Sequence, residues 1–279
     1  MLSLEKERQL VQFAADIRTE CINMISKIGV GHVGGCLSLA DAFACLYGGA
    51  MNVDPQNPRW ADRDRIILSK GHAGPVMYAA LALKGYFPME WLDTLNQPPT
   101  HLPSHTDMKR TPGVDMTTGS LGQGISSATG IALACRLDGK TNHIFAIVGD
   151  GECQEGQVWE AATFAAAQKL DRLIVFVDSN RRQLDGTIEE IAGPQDYAQK
   201  FRAFGWHTID VADGHDIRQV WDAIEQAKTN EQAPTAIILN TIKGKGWQYA
   251  EQLENNHNFV VTAELAANAA LEFQQQKPL

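Results

Sequence analysis

The sequence predicts an α/β fold, with a single doubly wound, mainly parallel sheet that carries helices on both faces. Short runs of consecutive apolar residues alternate with amphipathic helical patterns along the second half of the chain. Apolar runs without polar alternation are typical of parallel strands that are covered on both faces. No repeat, serine-rich linker or charge block interrupts this pattern. We therefore expect one domain over residues 1–279, with residues 262–279 forming a peripheral C-terminal tail.

The first half of the chain opens with a long amphipathic helix. Apolar residues recur every three to four positions through residues 3–28, which is the spacing of one helix face. A glycine-rich turn follows at residues 29–35. The other elements predicted in this half are a helix at 39–48, a strand at 65–69, a helix at 75–84, a long loop at 96–119 and a helix at 121–137.

The second half alternates regularly between strands and helices. The predicted strands are 144–148, 173–177, 206–211 and 236–240, and the predicted helices are 155–169, 196–204 and 216–229. Residues 178–195 are predicted to form a loop. Ligands of open α/β sheets bind at the carboxyl ends of the strands. Polar or glycine-rich clusters follow strands at 69–74, 149–156 and 178–187, so we expect one site there.

The composition excludes several classes of protein. Of the 279 residues, 44% are hydrophobic and 20% are charged, which is typical of a globular protein and not of a disordered one. Lys and Arg number 24 against 33 Asp and Glu, so the formal net charge is −9. This charge argues against nucleic acid or an anionic membrane as a partner. No run of about 18 apolar residues is present, so we expect no membrane-spanning helix.

The N-terminus and the cysteines indicate a cytoplasmic protein. The first residues, MLSLEKER, lack the apolar core of a secretory signal. The five cysteines are odd in number and form no C-x-x-C pair. They therefore fit free thiols in a reducing compartment better than a disulfide framework or a zinc site.

The glycine-rich turn contains a pattern that imitates a dinucleotide-binding motif. Residues 29–34 read Gly-Val-Gly-His-Val-Gly and match G-x-G-x-x-G. The dinucleotide fingerprint follows a strand and opens a helix. Here the preceding residues 3–28 have a helical pattern, so a dinucleotide site would require a strand before Gly29.

The pattern that points most directly to a ligand begins at Asp150. An apolar strand leads into Gly149-Asp150-Gly151, and the next predicted strand leads into Asp178-Ser179-Asn180. Asp150 and Asn180 would then lie at the carboxyl ends of strands, plausibly neighbouring ones. Carboxylate and amide oxygens are ligands suited to Mg²⁺ or Ca²⁺. The alternative is that the glycines form a plain turn and Asn180 is a cap, and spacing alone does not separate the two.

Four histidines occupy predicted loops rather than apolar helix faces. They are His32, His72, His105 and His257. The simplest interpretation of a single loop histidine is a hydrogen-bonded surface residue.

Together, these clusters resemble the N-terminal part of transketolase, and most closely the split transketolases in which this part is a separate chain. The resemblance spans roughly residues 10 to 257 and includes the G-D-G and D-S-N clusters. The other motifs that carry it are Gly31-His32-Val33-Gly34-Gly35, Ser69-Lys70-Gly71-His72-Ala73, Thr111-Pro112-Gly113-Val114-Asp115, Thr118-Gly119-Ser120-Leu121-Gly122-Gln123-Gly124, Glu152-Cys153-Gln154-Glu155-Gly156 and Lys243-Gly244-Lys245-Gly246.

The resemblance implies an enzyme that binds thiamine diphosphate with Mg²⁺, Ca²⁺ or Mn²⁺. Carried over by position, the metal ligands are Asp150, Asn180 and the backbone carbonyl of Arg182. The implied cofactor-binding residues are His72, Gly119, Ser120, Leu121, Gly149, Asp150, Gly151, Glu152 and Asn180. The implied catalytic residues are His32, His72, His105, His257 and Glu155, with Glu155 at the contact between two cofactor sites of a dimer.

Two of the histidines depart from the family pattern in their surroundings. His105 lies in Ser-His-Thr where Gly-His-Pro is common. His257 is flanked by asparagines instead of small residues, so its assignment depends most on position alone.

The resemblance also implies a partner chain. Family enzymes activate the cofactor with a glutamate from a second α/β domain, for which 279 residues leave no room. We therefore expect an N-terminal subunit that is inactive alone and joins a C-terminal, pyrimidine-binding subunit, in an α2β2 heterotetramer. The expected reaction transfers a two-carbon ketol unit from a ketose, often phosphorylated, to an aldose.

Three other functions remain open from the sequence. The chain could serve a specialised sugar pathway instead of the pentose phosphate pathway. It could resemble deoxyxylulose-phosphate synthase, whose N-terminal domain shares the G-D-G motif. It could also be a non-catalytic subunit that holds cofactor or regulates a partner.

Overall fold

The central feature of the computed structural model, which describes residues 2–275, is a five-stranded parallel sheet. The strands of the chain are β1 (Val30–His32), β2 (Arg65–Leu68), β3 (Ile144–Gly149), β4 (Leu173–Ser179), β5 (His207–Val211), β6 (Thr235–Asn240) and β7 (Asn258–Val260). In the central sheet they follow the order β2-β3-β4-β6-β5. The remaining two, β1 and β7, form a separate antiparallel ribbon.

Helices connect and cover these strands. They are α1 (Leu4–Ile28), α2 (Gly34–Leu37), α3 (Ala40–Cys45), α4 (Gly74–Leu83), α5 (Gln123–Leu137), α6 (Gly156–Ala167), α7 (Ile188–Ala192), α8 (Tyr197–Ala203), α9 (Ile217–Lys228), α10 (Gln248–Gln252) and α11 (Ala263–Gln275). Short 3₁₀ turns lie at Gly71–Ala73, Met89–Thr94 and Glu152–Gln154, and a π turn lies at Leu46–Ala50.

The two faces of the sheet bury two separate apolar cores. Along β3, Phe145 and Ile147 belong to one core, while Ala146 and Val148 belong to the other. The first core is closed by α1, α3, α4 and α9, and the second by α5, α6 and α8. A strand that is apolar at every position suits this arrangement, because both of its faces are covered. The predicted doubly wound parallel sheet is confirmed.

The long first helix has clear signals at both ends. The Ser3 hydroxyl accepts a hydrogen bond from the Lys6 N–H at 3.2 Å and caps the N-terminus. Gly29 ends the helix in the left-handed conformation, with φ of 82°, where glycine has no steric penalty. A helix therefore precedes the G-x-G-x-x-G pattern, as expected, so this pattern does not have the strand-turn-helix context of a dinucleotide fingerprint.

Several elements differ from the sequence prediction. The single helix predicted at 39–48 is divided into α3 and the π turn, which contains Gly49 at φ of 149°. The loop predicted at 178–195 contains α7, which begins with a capping box between Thr187 and Glu190. The short ribbon strands β1 and β7 and the helix α10 are absent from the prediction, because three to five residues carry too little periodicity.

The long loop predicted at 96–119 is confirmed, since these residues contain no helix or strand. In the segment predicted to be peripheral, α11 packs along α1 and buries Phe273. Residues 276–279 of that tail lie outside the described residues. Over residues 2–275, no helix combines the length and apolarity needed to cross a membrane.

The packing of Phe176 provides a test of this core. Its side chain is fully buried and lies 6.3 Å from Phe145, measured between ring centroids. We expect Phe176→Ala to lower the free energy of unfolding by about 3–5 kcal/mol, because the lost contacts leave a cavity. Urea denaturation followed by circular dichroism measures this change. Phe164→Ala is the matched control, since Phe164 is 44% exposed, and equal losses in both variants would contradict the assignment.

Candidate functional site

Asp150 and Asn180 follow two neighbouring strands of the sheet. Strands β3 and β4 pair in parallel, with Gly149 opposite Asp178, so their carboxyl ends share one edge. The Asp150 carboxylate accepts hydrogen bonds from the Gly151 N–H at 2.8 Å and the Arg181 N–H at 2.5 Å. Arg181 has φ of 65°, a left-handed conformation that is unusual for a residue with a side chain. The expected juxtaposition of these two strand ends is observed.

The electrostatics at Asp150 favour a cation. Burial and the nearby charge of Asp178 raise the pKa of Asp150 to about 7. The Asn180 side chain is oriented by two bonds: its Nδ2 donates to Asp178 at 3.0 Å, and its Oδ1 accepts from the Arg182 N–H at 3.2 Å. The Arg182 carbonyl already accepts from a cation, the Lys243 ammonium, at 3.1 Å. These three oxygen donors suit Mg²⁺, Ca²⁺ or Mn²⁺.

The three residues line one cavity of 960 Å³ at the edge of the sheet. Within the described part of the chain, no group of three or more His, Cys, Asp or Glu side chains is arranged to hold a metal ion. An ion bound beside Asp150 would therefore need the amide and backbone oxygens and further ligands from water or a phosphate. This ligand set fits a metal that is held together with a phosphorylated molecule.

A buried ion pair underlies this edge. The fully buried carboxylate of Asp178 accepts from Lys70 Nζ at 2.5 Å and from Ser38 Oγ at 2.6 Å on the same oxygen, Oδ2. Thr241 Oγ1 donates to the other oxygen. Burial alone would raise the pKa of Asp178, but the Lys70 charge and these donors lower it. Sequence reasoning assigned neither Lys70 nor Asp178 a role, although each lies at the end of an apolar strand.

Glu152 connects the turn after β3 to the loop before α5. Its carboxylate accepts from Ser69 Oγ at 2.5 Å, the Gly122 N–H at 2.8 Å and the Gly149 N–H at 3.1 Å. Burial raises the pKa of Glu152, and these three donors oppose that effect. The first turn of α5 approaches this region closely, since a Cβ on Gly124 would lie 2.5 Å from the Ser69 Cα. The contacts of Glu152 here are with the protein itself, and cofactor binding by this residue stays a prediction.

The four predicted histidines form one cluster. Ring centroids of His32 lie 5.3 Å from His72, 5.9 Å from His105 and 5.2 Å from His257. His72 and His257 are 4.9 Å apart. The pairing of β1 with β7 brings His32 opposite Asn258, which explains how a residue so distant in sequence as His257 joins the group.

The environment of the cluster lowers the pKa of all four histidines, which favours their neutral form. Burial and the charge of Lys70 lower the pKa of His72 to about 2, and burial and the charge of Lys243 lower that of His257 to about 3. Burial also lowers the pKa of His32 and His105. A neutral imidazole has one donor and one acceptor nitrogen, so the cluster can bind hydroxyl groups of a ligand from several directions.

The remaining predicted residues surround this edge on the loop side. A Cβ on Gly119 would lie 3.4 Å from the His105 ring. Ser120 and Leu121 are exposed beside it, with Leu121 37% exposed. Glu155 is exposed at the start of α6 and lies against Gly122. The structure brings these residues near one another, and their roles in binding or catalysis stay predictions.

The fold and this arrangement define an α/β protein of the class that binds thiamine diphosphate. A family model described as "Transketolase, thiamine diphosphate binding domain" matches residues 9–276. The chain therefore belongs to the transketolase family, as its N-terminal part.

Three known proteins illustrate the relationship. The chain is 52% identical over 272 residues to the 6-deoxy-6-sulfo-D-fructose transketolase subunit SqwG of Clostridium sp. (strain MSTE9), covering 98% of both chains. It is 33% identical to an apulose-4-phosphate transketolase subunit of Phocaeicola vulgatus, covering 93% of this chain and 92% of the other. The crystal structure of transketolase from Campylobacter jejuni matches with a TM-score of 0.89 and 33% identity. That match covers 95% of this chain and only 43% of the Campylobacter chain.

Loss of Lys70 should destabilise the chain, because it removes the counter-ion of the buried Asp178 carboxylate. We expect Lys70→Met to lower the free energy of unfolding by about 3–5 kcal/mol, because a buried carboxylate is left without its cation. The double variant Lys70→Met/Asp178→Asn should recover part of this loss. Urea titrations measure both. Lys140→Met is the control, since the pair of Lys140 with the exposed Asp62 contributes at most about 1 kcal/mol.

Asp150 should destabilise the chain in the absence of metal and cofactor. Its folded pKa of about 7 exceeds the ordinary value of 3.8, so ionisation costs stability increasingly as pH rises between these values. We expect Asp150→Asn to raise the free energy of unfolding by about 2 kcal/mol at pH 8 and by little at pH 4. Urea denaturation across this pH range tests it. The exposed Asp138→Asn should show no such trend, and a gain for Asp150→Asn that shrinks with rising pH would refute the charge assignment.

Proposed function

We propose that this chain is the N-terminal subunit of a two-subunit transketolase. It would bind thiamine diphosphate and a divalent metal and transfer a two-carbon ketol unit from a ketose or ketose phosphate to an aldose or aldose phosphate. The observation that carries the proposal is the meeting of Asp150 and Asn180 at adjacent strand ends beside the four-histidine cluster. Membership of the transketolase family supports the same reaction class.

The metal and the diphosphate would be held at the edge of β3 and β4. Asp150, Asn180 and the Arg182 carbonyl would ligate the ion, and the backbone of Gly149 and Gly151 would approach the diphosphate. His72, Gly119, Ser120, Leu121 and Glu152 complete the proposed cofactor-binding set. When bound, thiamine diphosphate supplies a nucleophilic carbon that protein side chains lack.

The histidines would bind the sugar and transfer its protons. His32, His105 and His257 would donate and accept hydrogen bonds with the hydroxyl and carbonyl oxygens of the ketose and move protons between them. His72 lies 4.9 Å from His257, between ring centroids, and its pKa is lowered by burial and by the charge of the nearby Lys70. Glu155 would lie at the contact between two cofactor sites. Because the cluster is neutral, it can stabilise polar oxygens without ion pairing.

The partner is proposed to be a C-terminal, pyrimidine-binding subunit that supplies the activating glutamate. Two relatives are named as transketolase subunits and match this chain over nearly their whole length. We propose an α2β2 heterotetramer and a cytoplasmic location. The five cysteines, all within the described range, are free and buried, which agrees with a reducing compartment.

The sugar is proposed to belong to a specialised pathway. The two relatives are named for 6-deoxy-6-sulfo-D-fructose and apulose 4-phosphate, and the first is 52% identical over 98% of this chain. We therefore propose a sulfonated ketose as the donor to test first, with ketose phosphates as the comparison. These names also favour an enzyme subunit over a purely regulatory one.

Reconstitution tests the proposed function. We expect ketol transfer when the chain is mixed with a C-terminal transketolase subunit, and none from the chain alone. Asp150→Ala should lower metal-dependent cofactor binding and reconstituted activity by more than about 100-fold, because a metal ligand is lost. Asp138→Ala serves as the exposed control. Full turnover by the chain alone would contradict the need for a partner, and unchanged activity in Asp150→Ala would favour a regulatory subunit.

A further inference from the structure

We propose that Lys243 is a positioning residue that fixes the tautomer of His257, so that His257 carries its proton on Nε2 and offers a donor there. The role of this donor toward a sugar oxygen rests on the proposed function, but the tautomer itself is a property of the chain alone. Lys243 opens the Lys-Gly-Lys-Gly motif, and the proposed function leaves this residue without a task.

The Lys243 ammonium is buried and surrounded by three acceptors. Its Nζ lies 3.1 Å from the Arg182 carbonyl, 3.4 Å from the Gln183 carbonyl and 3.3 Å from Nδ1 of His257. An ammonium has three N–H donors and no acceptor. The contact with His257 therefore requires Nδ1 to accept. A neutral imidazole has only one bare nitrogen, so the proton must be on Nε2.

The environment of the His257 ring agrees with this assignment. Burial and the charge of Lys243 lower the pKa of His257 to about 3, so its ring is neutral at pH 7. A charged donor facing a neutral ring is the combination that selects one tautomer.

The backbone around Lys243 is held from several sides. The Thr241 N–H donates to the Ser179 carbonyl at 3.2 Å, and the Gly244 N–H donates to the Gly34 carbonyl at 3.0 Å. The carbonyl of Lys243 accepts from Asn256 Nδ2 at 2.9 Å. Because Asn256 directly precedes His257, this bond also fixes the distance between Lys243 and the ring it contacts.

A second buried network anchors the backbone on either side of Lys243, at Ile242 and Lys245. The Ile242 N–H donates to Nε2 of His215 at 2.8 Å, and Nδ1 of His215 lies 2.8 Å from Asp41. Arg18 forms an ion pair with Asp41 and donates through Nε to the Lys245 carbonyl at 3.2 Å. The residues on both sides of Lys243 are therefore anchored. A fixed ammonium can impose one ring orientation, whereas a mobile surface lysine cannot.

The same ammonium contacts both halves of the candidate site. On one side lies the Arg182 carbonyl, a proposed metal ligand, and on the other lies His257 of the histidine cluster. Lys243 thus links the ends of the site at which the diphosphate and the sugar are proposed to bind. Removing its charge should change the ring of His257 even when no cofactor is present.

Nuclear magnetic resonance of the full chain, with ¹⁵N-labelled histidine and no cofactor or partner, tests the tautomer directly. His257→Gln assigns the ring signals by their loss. We expect the proton of His257 on Nε2 in the wild type and a measurable Nδ1–H population in Lys243→Met. Lys140→Met is the matched control and should leave the ring signals unchanged. An Nδ1–H ring in the wild type would overturn the proposal whether or not Lys243→Met folds, and so would an unchanged ring in a folded Lys243→Met.

Two positional mimics of histidine test the use of this donor in the reconstituted enzyme. The amide nitrogen of Gln can take the place of Nε2, whereas that of Asn lies closer to Nδ1. We expect kcat/KM of His257→Gln to be at least about tenfold higher than that of His257→Asn. This ratio corresponds to a difference of about 1.4 kcal/mol in transition-state stabilisation. Equal losses would overturn the role of the Nε2 donor. If the wild-type chain mixed with its C-terminal partner subunit showed no activity, this would instead count against the proposed function. The resonance experiment would still decide the tautomer.

Discussion

The Asp178 carboxylate holds together four segments that are far apart in the sequence. Lys70 follows β2, Ser38 lies between α2 and α3, Asn180 follows β4, and Thr241 follows β6, and all four donate to it. A buried carboxylate without donors would be strongly unfavourable, so this one charge constrains the positions of all its partners. The edge of the sheet is organised around it.

This arrangement leaves the neighbouring carboxylate without a cation of its own. Lys70 neutralises Asp178, while Asp150 is bonded mainly to backbone N–H groups and feels the negative charge of Asp178. A cation added beside Asp150 would relieve that imbalance. The pair therefore combines one satisfied charge that supports the fold with one unsatisfied charge that favours a ligand, which is the electrostatic basis of the proposed metal site.

The histidine cluster depends on a different element, the ribbon of β1 and β7. Its strands are only three residues long, yet their pairing places His257 beside His32 and Asn256 against the Lys243 carbonyl. The flanks of His257 depart from the family pattern, so local sequence offers its position little support. Tertiary contact supplies that support, because the ring packs against two other histidines and receives a hydrogen bond from a buried ammonium.

Apolar patterning was sufficient to predict the long helix at 3–28, the five strands of the central sheet and their parallel arrangement. Four of these strands are buried along nearly their whole length, and only the edge strand β5 is partly exposed. The same patterning also placed Asp150 and Asn180 at strand ends, and the motifs identified the family. The sequence could not reveal the Lys70–Asp178 pair, the β1–β7 ribbon or the contact of Lys243 with His257. Those features join residues distant along the chain, and local sequence encodes which faces are buried but not which distant partner meets a given polar group.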